Sequence, residues 1–322
     1  MLLLERVLFL AAWRHVRLTL KTIMESYPQS ALEHVRNLVA IATETPEKAI
    51  AFQGAPGANS HIAALQFDAE ALVHPCFSFE DALDAVKDGK VDRAIIPIEN
   101  SLHGRVADIH FLLPESGLHI VDEHFLRIHH CLMGKDKDAK LKSAMSHPQA
   151  LGQCRHYLRE RNIMPIAYAD TAAAAAYVAD STDITAAAIA PKLAAGLYGL
   201  ELIAENIEDA DHNMTRFVVL AREAVLPADE TSAMTTITFE VKNIPAALYK
   251  AMGGFATNGV NMTKLESYQR GGSFSATEFY ADIEGLPSNP AVKRALEELE
   301  FHTKWVRILG SYTQARPRTI NS

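Results

Sequence analysis

The feature that most restricts the fold of this chain is a repeated alternation of short apolar strands and helices that begins near residue 48. The first strand reads A-I-A-F at 49–52, and a glycine-containing turn at 53–60 connects it to a helical run. A further helix precedes the next apolar strand at 93–98. This alternation predicts an α/β fold, in which ligands bind beyond the carboxyl ends of the strands.

The composition narrows the range of functions. Of the 322 residues, 48% are hydrophobic and 22% are charged, as in a soluble globular protein, and the net charge is −8. Because nucleic-acid-binding domains usually carry a basic face, we expect no nucleic-acid partner. Cys76, Cys131 and Cys154 form no C-x-x-C pair, which predicts a reducing, cytoplasmic location without disulfides or a structural metal.

Residues 1–46 differ from the rest of the chain. An apolar run at 7–13 is too short to span a membrane and lacks a following cleavage site, so we expect no membrane association. The segment 30–42 has apolar residues at helical spacing. We interpret 1–46 as a partly helical or disordered extension that is loosely attached and dispensable for catalysis, with Met24 as an alternative start.

Polar side chains follow the strand at 93–98 directly. They are Glu99, Asn100 and Ser101, with Gly104 shortly after. In an open α/β sheet this is where ligand-binding groups lie. A helix N-cap at Asn100 or Ser101 is the alternative interpretation, and it is compatible with ligand binding because a cap leaves neighbouring backbone amides free for an anion.

A second polar group is predicted at the start of a helix within 146–154. Ser146 is a suitable N-cap, and Gln149 and Gln153 are i, i+4 neighbours in the first two turns. Thr171 supplies a hydroxyl at the start of the following helix. Two helix N-termini of this kind form a dipolar pocket suited to carboxylates.

The segment 209–220 runs from a polar cluster into a β-branched strand. Successive side chains of a strand face opposite ways, so Thr215 and Phe217 share one face and Arg216 takes the other. The alternative interpretation is an ordinary core strand with a basic residue snorkelling at its end.

Five motifs in order strongly resemble the prephenate dehydratase family. They are P-I-E-N-S-x-x-G-R-V (97–106), S-H-P-Q-A-L-x-Q-C (146–154), D-T-A-x-A-A (170–175), A-A-x-x-Y-G-L (194–200) and N-x-T-R-F (213–217). The resemblance covers about residues 48–222. It implies a catalytic domain at 47–224 with a bilobed fold like periplasmic binding proteins, one lobe formed by 48–124 and 205–222 and the other by 125–204.

The resemblance also assigns chemistry. Prephenate loses CO2 and water to give phenylpyruvate, a reaction that needs no cofactor. The family's essential catalytic threonine corresponds to Thr215, which we expect to donate a hydrogen bond to the leaving hydroxyl, with a proton relayed from Glu99 or His147. An orienting role for Glu99 is the alternative. The expected substrate-binding residues are Asn100, Ser101, Gly104, Ser146, Gln149, Gln153, Thr171, Asn213, Arg216 and Phe217. One departure is Ala58, where the family commonly has a threonine.

After a polar linker at 225–233, residues 234–314 show a βαββαβ order, followed by a tail at 315–322. This ferredoxin-like pattern resembles the ACT regulatory domain of the same family, and Gly271–Gly272 predicts its hairpin. The resemblance implies a homodimer or homotetramer with L-phenylalanine as effector. The expected effector site comprises Ala246, Ala247, Leu248, Asn261, Glu266 and Ser267.

The ligand loop and the second strand of the predicted effector domain both depart from the family pattern. The family commonly has P-G-A-L and E-S-R-P, whereas this chain has Ala246 in place of the glycine and Tyr268-Gln269 in place of R-P. The methyl group of Ala246 lies where close contact is expected, and Tyr268 removes a planar donor fork that Arg270 could replace. We therefore expect weakened or differently tuned inhibition.

The sequence argues against a fused second enzyme and leaves two alternative functions open. The extension is about half the length of a fused chorismate mutase domain, so we interpret the enzyme as monofunctional. Arogenate dehydratase uses the same motifs, and no residue here is dedicated to a substrate amine. A non-catalytic amino-acid-sensing protein could share the fold, because fold does not determine function.

Overall fold

The computed structural model describes residues 27–227, 230–269 and 278–318. Its helices are α1 (Gln29–Glu44), α2 (Asn59–Phe67), α3 (Phe79–Lys87), α4 (Ala107–Ser116), α5 (Pro148–Gln153), α6 (Arg155–Glu160), α7 (Thr171–Asp180), α8 (Lys192–Tyr198), α9 (Ala247–Thr257) and α10 (Pro290–His302). Within these described ranges, no helix is both long and apolar enough to cross a membrane.

The strands form three sheets. They are β1 (Ala49–Gln53), β2 (Leu72–Cys76), β3 (Arg93–Asn100), β4 (Gly104–Arg105), β5 (His119–Arg127), β6 (Cys131–Gly134), β7 (Ser143–Ser146), β8 (Met164–Ala167), β9 (Ala186–Ala190), β10 (Glu201–Ala204), β11 (Met214–Ala221), β12 (Ala233–Val241), β13 (Met262–Tyr268), β14 (Glu278–Glu284) and β15 (Thr303–Thr313). The predicted α/β architecture with two lobes and a βαββαβ unit is confirmed.

The first lobe is built on a sheet with the order β2–β1–β3–β11–β5, and β4 pairs with the end of β3. Strands β1, β2 and β3 are parallel, while β11 runs antiparallel to both β3 and β5. Its core contains Phe52, Ile95 and Phe217, each at most 1% exposed. Because β11 is antiparallel to β3, the start of β11 lies beside the carboxyl end of β3.

The second lobe has the sheet order β10–β6–β9–β7–β8. Five successive alanines of α7, residues 172–176, are fully buried against it. The chain passes between the lobes after β5 and before β11. Since Arg127 still pairs with Met214 in the first lobe, the predicted lobe boundary at residue 124 is three residues too early.

The C-terminal domain has the βαββαβ order and the sheet order β13–β14–β12–β15. Helices α9 and α10 cover one face of its sheet, with Phe239, Phe255 and Leu299 in the core between them. The other face packs on the first lobe, where Tyr280 and Tyr312 join the same buried cluster as Ile109. One sheet thus has two buried faces, so the domain is docked firmly on the catalytic unit.

Helix α1 corrects the expectation of a loosely attached extension. The predicted helix exists, but Ala31 and Ala42 are fully buried, the first in the core of the second lobe and the second in that of the first. Its side chains also bond to the second lobe, since His34 Nε2 lies 2.9 Å from the carbonyl oxygen of Leu197. Small residues at 31 and 42 let the helix lie closely across both lobes.

Some predictions concern residues outside the described ranges. They are the apolar run at 7–13, the alternative start Met24, positions 228–229 of the linker, Arg270, the Gly271–Gly272 hairpin and positions 319–322 of the tail.

Candidate active site

A cleft of about 560 Å³ separates the two lobes. The residues from the sequence-predicted set that line it are Asn100, Gly104, His147, Gln149, Gln153, Thr171, Asn213, Thr215 and Phe217. The first lobe contributes the ends of β3 and β11, and the second lobe contributes the starts of α5 and α7. The structure therefore brings together most of the residues that separate motifs predicted.

A hydrogen-bonded pair, Asn100 and Thr215, lies where β3 and β11 meet. Asn100 Nδ2 donates to Thr215 Oγ1 at 2.9 Å and to Asn213 Oδ1 at 2.7 Å. Asn100 Oδ1 accepts from the backbone amides of Leu102 and His103 at 3.0 and 3.1 Å, which fixes the orientation of the side-chain amide. Since Thr215 Oγ1 accepts from Asn100, its own hydroxyl hydrogen is available to the cleft.

A second set of amide contacts crosses from the first lobe to the second. Asn213 Nδ2 donates to Gln153 Oε1 at 2.8 Å, and His130 Nε2 lies 2.5 Å from the same oxygen. Gln153 Nε2 in turn lies 3.1 Å from His103 Nδ1. With Asn100, these groups form a chain of oriented donors and acceptors, which fixes the relative positions of side chains from both lobes.

His147 lies on the second-lobe side of the cleft and is the N-cap of α5, because its Nδ1 accepts from the backbone amide of Gln149 at 3.3 Å. Burial, together with nearby His103, lowers the pKa of His147 below its ordinary value. The ring is therefore neutral near pH 7, and with Nδ1 accepting, its hydrogen lies on Nε2.

Ser146 and Ser101 do not bind in the cleft as predicted. Ser146 is the last residue of β7 rather than the cap of α5; it is fully buried, and its hydroxyl donates to the carbonyl oxygen of Ile189 at 2.6 Å. Ser101 Oγ donates to the carbonyl of His212 and accepts from the amide of Met214. Both hydroxyls hold backbone segments in place.

Glu99 and Arg216 do not line the cleft, in contrast to the prediction from the sequence. Their side chains pair with each other on the face of the sheet opposite Thr215, with Arg216 Nη1 2.9 Å from Glu99 Oε1. Burial alone would raise the pKa of Glu99, but Lys264 and Arg216 lower it below its ordinary value. Glu99 is therefore a fixed carboxylate, and it cannot relay a proton to Thr215.

At the start of α7, the capping group is Asp170 rather than Thr171. Asp170 Oδ1 accepts from the backbone amide of Ala173 at 2.8 Å, and burial raises its pKa. Thr171 lines the cleft as predicted, beside this helix N-terminus. The site thus keeps the predicted dipolar character with a different cap.

Sequence reasoning missed several residues that line the cleft. They are Gln53, Asn59, Ser60, His103, Arg105, Asp108, Ile128, His130 and Asp170. His103 occupies an unspecified position inside the first motif, and His130 lies in an interlobe segment without any motif. Only the contacts that cross the cleft identify these two imidazoles as part of the site.

Comparison with known proteins decides the family. The family model described as "Prephenate dehydratase" matches residues 50–225, more than half of the chain. This chain belongs to the prephenate dehydratase family. Members are dehydratases of the lyase class in aromatic amino-acid biosynthesis, so the chain is an enzyme and the sequence-based resemblance is confirmed.

Relatives with a known name extend the match beyond the family model. A bifunctional N-acyl-homoserine lactone acylase/prephenate dehydratase of Komagataeibacter europaeus is 48% identical, covering 83% of this chain and 96% of the relative. Arogenate dehydratase/prephenate dehydratase 1 of Arabidopsis thaliana is 39% identical, covering 82% and 71%. The solved structure of prephenate dehydratase in complex with L-Phe from Arthrobacter aurescens is 30% identical with a TM-score of 0.76, covering 83% and 90%.

Proposed function

We propose that this chain converts prephenate to phenylpyruvate by decarboxylative dehydration in the cleft between its lobes. The observation that carries the proposal is the hydrogen bond from Asn100 to Thr215 at the cleft, which leaves the Thr215 hydroxyl free to donate. In the reaction, the bond between the ring and its carboxylate breaks, its electrons complete the aromatic ring, and the ring hydroxyl takes up one proton from solvent and leaves as water.

Thr215 is the proposed donor to the leaving hydroxyl. A free threonine is a weak acid, so it contributes a hydrogen bond aligned with the breaking C–O bond rather than full proton transfer on its own. The bond that it accepts from Asn100 polarises its O–H group. Such a donor stabilises charge that develops in the transition state, where preorganised donors are most effective.

Of the two predicted partners of Thr215, His147 remains; its neutral imidazole is proposed to donate a hydrogen bond to the substrate. Its Nε2–H group is available at the cleft because Nδ1 caps α5. Gln149, Gln153 and Thr171 are proposed to orient the substrate carboxylates beside the helix N-termini. These neutral donors hold an anion without neutralising the carboxylate that must leave as CO2.

The test compares two substrates on one preparation. Prephenate gives phenylpyruvate and arogenate gives phenylalanine, and we expect kcat/KM to be higher with prephenate. Higher kcat/KM with arogenate would favour arogenate dehydratase, which is one of the two activities in the name of the Arabidopsis relative. No turnover of either would contradict the proposed function.

A second candidate activity comes from the 48% identical relative, whose name includes N-acyl-homoserine lactone acylase. The imidazoles of His103, His130 and His147 around the cleft could activate a water molecule for amide hydrolysis. Release of homoserine lactone from an N-acyl substrate would support this activity, provided that a change in the cleft abolishes it together with the dehydratase activity. Wild-type protein without such release would exclude it.

We further propose that the C-terminal domain is an ACT domain that binds L-phenylalanine and joins cytoplasmic chains into a homodimer or homotetramer. Its βαββαβ fold and the 30% identical structure solved with L-Phe support this. The proposed ligand residues lie at the start of α9 and along β13; they are Ala246, Ala247, Leu248, Asn261, Glu266 and Ser267.

The effector response is measured by titrating phenylalanine against activity and sedimentation together. Tyr268 is 3% exposed, and its ring centroid lies 5.7 Å from that of Phe111, so its side chain is part of the interface with the first lobe. We expect inhibition at higher phenylalanine concentration than in family members with arginine there. No binding at millimolar phenylalanine would reduce the domain to a docking and assembly unit.

A further inference from the structure

The face of β3 and β11 that points away from the cleft carries a buried ion cluster shared by two domains. Its centre is Arg216, whose side chain is 3% exposed. The guanidinium donates to Glu99 at 2.9 Å and Glu123 at 2.7 Å in the first lobe. It also donates to Asp282 at 2.6 Å and to the Tyr312 hydroxyl at 2.7 Å, both in the C-terminal domain.

The ion cluster and the Asn100–Thr215 pair occupy opposite faces of the same two strands. In the β3–β11 register, Thr215 lies opposite Asn100 and Arg216 lies opposite Glu99. One peptide unit in each strand therefore links a group in the cleft to a group in the cluster. A bulge between Arg216 and Phe217 interrupts the pairing here, and bulges beside active sites re-aim side chains.

Residues of the C-terminal domain form ion pairs with both Glu99 and Arg216 of the first lobe. Lys264 on β13 forms an ion pair with Glu99 Oε2, while Arg216 bonds to Oε1 of the same carboxylate. Asp282 on β14 bonds to Arg216 through Oδ2 and accepts from Thr236 through Oδ1 at 2.6 Å. Because an unpaired buried charge is costly, displacement of β13 or β14 forces the ends of β3 and β11 to readjust.

We propose that Lys264 and Asp282 are positioning residues for the dehydration, acting through Glu99 and Arg216 to hold Asn100 and Thr215 in their reactive alignment. This inference rests on the proposed function and adds a route by which the C-terminal domain controls it. A ligand that shifts β13 and β14 against the first lobe changes the alignment of the donor without touching the cleft.

Lys264 is the best position for a test because Glu99 keeps its bond to Arg216 when the lysine is removed, so the carboxylate is not left unpaired. Its matched control is Lys304, whose ion pair with Glu240 at 2.5 Å lies wholly inside the C-terminal domain. We expect Lys264→Met to lower kcat about tenfold or more with KM changed by less than about threefold, since small misplacements of reacting groups are costly in rate. Lys304→Met should leave both within about twofold, and Lys264→Arg should restore most of kcat.

Hydrogen exchange of the backbone amides at 98–104 and 213–217 gives a readout independent of turnover. Exchange should be faster in Lys264→Met and unchanged in Lys304→Met. If the methionine variant does not fold, Lys264→Gln, which keeps a donor for Glu99, replaces it and should give a smaller loss of kcat.

The proposal is overturned by a kcat of the Lys264 variant within about twofold of wild type, by an equal loss in Lys304→Met, or by unchanged exchange at 98–104 and 213–217 in the Lys264 variant. Wild-type protein that does not turn over prephenate contradicts the proposed function instead. In that case unchanged exchange in the Lys264 variant would still overturn the positioning role.

Discussion

Ala246 adopts a backbone conformation that an L-residue rarely takes. Its φ and ψ are 60° and 20°, immediately before α9. The left-handed conformation costs a non-glycine residue roughly 1–2 kcal/mol, while glycine loses about 0.5–1 kcal/mol in backbone entropy. The family's glycine at this position is therefore explained by conformation as well as by space for a ligand.

Replacing Ala246 by glycine should stabilise the protein. We expect Ala246→Gly to raise the free energy of unfolding by about 0.5–1 kcal/mol, measured by urea denaturation. Ala247→Gly is the matched control, because position 247 is helical and glycine there should destabilise by about 1 kcal/mol. A destabilising Ala246→Gly would show that the methyl group contributes packing that outweighs the strain.

The sequence of β11 predicts which face of the strand each side chain occupies, but it does not predict which residues those side chains contact. Thr215 and Phe217 line the cleft and Arg216 faces away, as the alternating pattern within 209–220 predicted. The binding role assigned to Arg216 was wrong, because its partners Asp282 and Tyr312 lie more than sixty residues later in the chain. A local sequence pattern predicts the face of the strand on which a side chain lies. Its contact partners depend on how the C-terminal domain packs on the first lobe.

The assignment of Ser146 failed for a related reason. Serine two residues before a proline suits a helix cap, yet β7 continues through Ser146 because its pairing with β8 extends to Ala167. The strand register places the hydroxyl in the core, where it bonds to the carbonyl of Ile189. His147 then takes the capping position. Because β7 includes Ser146, the capping role predicted for Ser146 belongs to the next residue, His147.

The close approach of β15 to β5 depends on Gly310. A Cβ at this position would lie 2.0 Å from the carbonyl oxygen of Ile120, so one backbone would have to move. We expect Gly310→Ala to lower the free energy of unfolding by about 1–3 kcal/mol or more through overpacking. Gly253→Ala, at a helical position with open space, is the control and should stabilise by up to about 1 kcal/mol. An unfolding midpoint for Gly310→Ala equal to that of wild type would contradict the docked arrangement.

Helix α1 is expected to be necessary for stability, in contrast to the sequence-based prediction. A chain that begins at Thr45 loses the buried Ala31 and Ala42 and the contact of His34 with Leu197. It should unfold at a lower temperature than a chain that begins at Tyr27, and both are compared by thermal denaturation. Equal midpoints for the two chains would show that the helix contributes nothing to the lobes.

For the whole molecule, two buried histidines predict acid sensitivity. Burial lowers the pKa of His61 and of His110 to about 4. Between pH 6.5 and 4, the unfolded chain binds protons that the folded chain does not, so stability falls as pH falls. From pH 7 to 5 each histidine should contribute a loss of about 2 kcal/mol.

His110→Leu isolates one of these contributions. Neither ring nitrogen of His110 has a hydrogen-bond partner among the described residues, and the ring packs edge-on against Tyr280 in the interface between the domains. The leucine variant should lose about 2 kcal/mol less stability than wild type between pH 7 and 5, measured by urea denaturation at both pH values. The same pH dependence in both proteins would mean that His110 is protonated in the folded state.

The kinetic effect of changing Thr215 tests its proposed role as the donor to the leaving hydroxyl. With prephenate as substrate, Thr215→Ala should lower kcat about 10²-fold or more while substrate affinity changes only a few-fold, because the hydroxyl acts mainly in the transition state. Thr215→Ser keeps the donor and should be much milder. A Thr215→Ala protein that is folded and retains more than about a tenth of the wild-type kcat would contradict this role of Thr215.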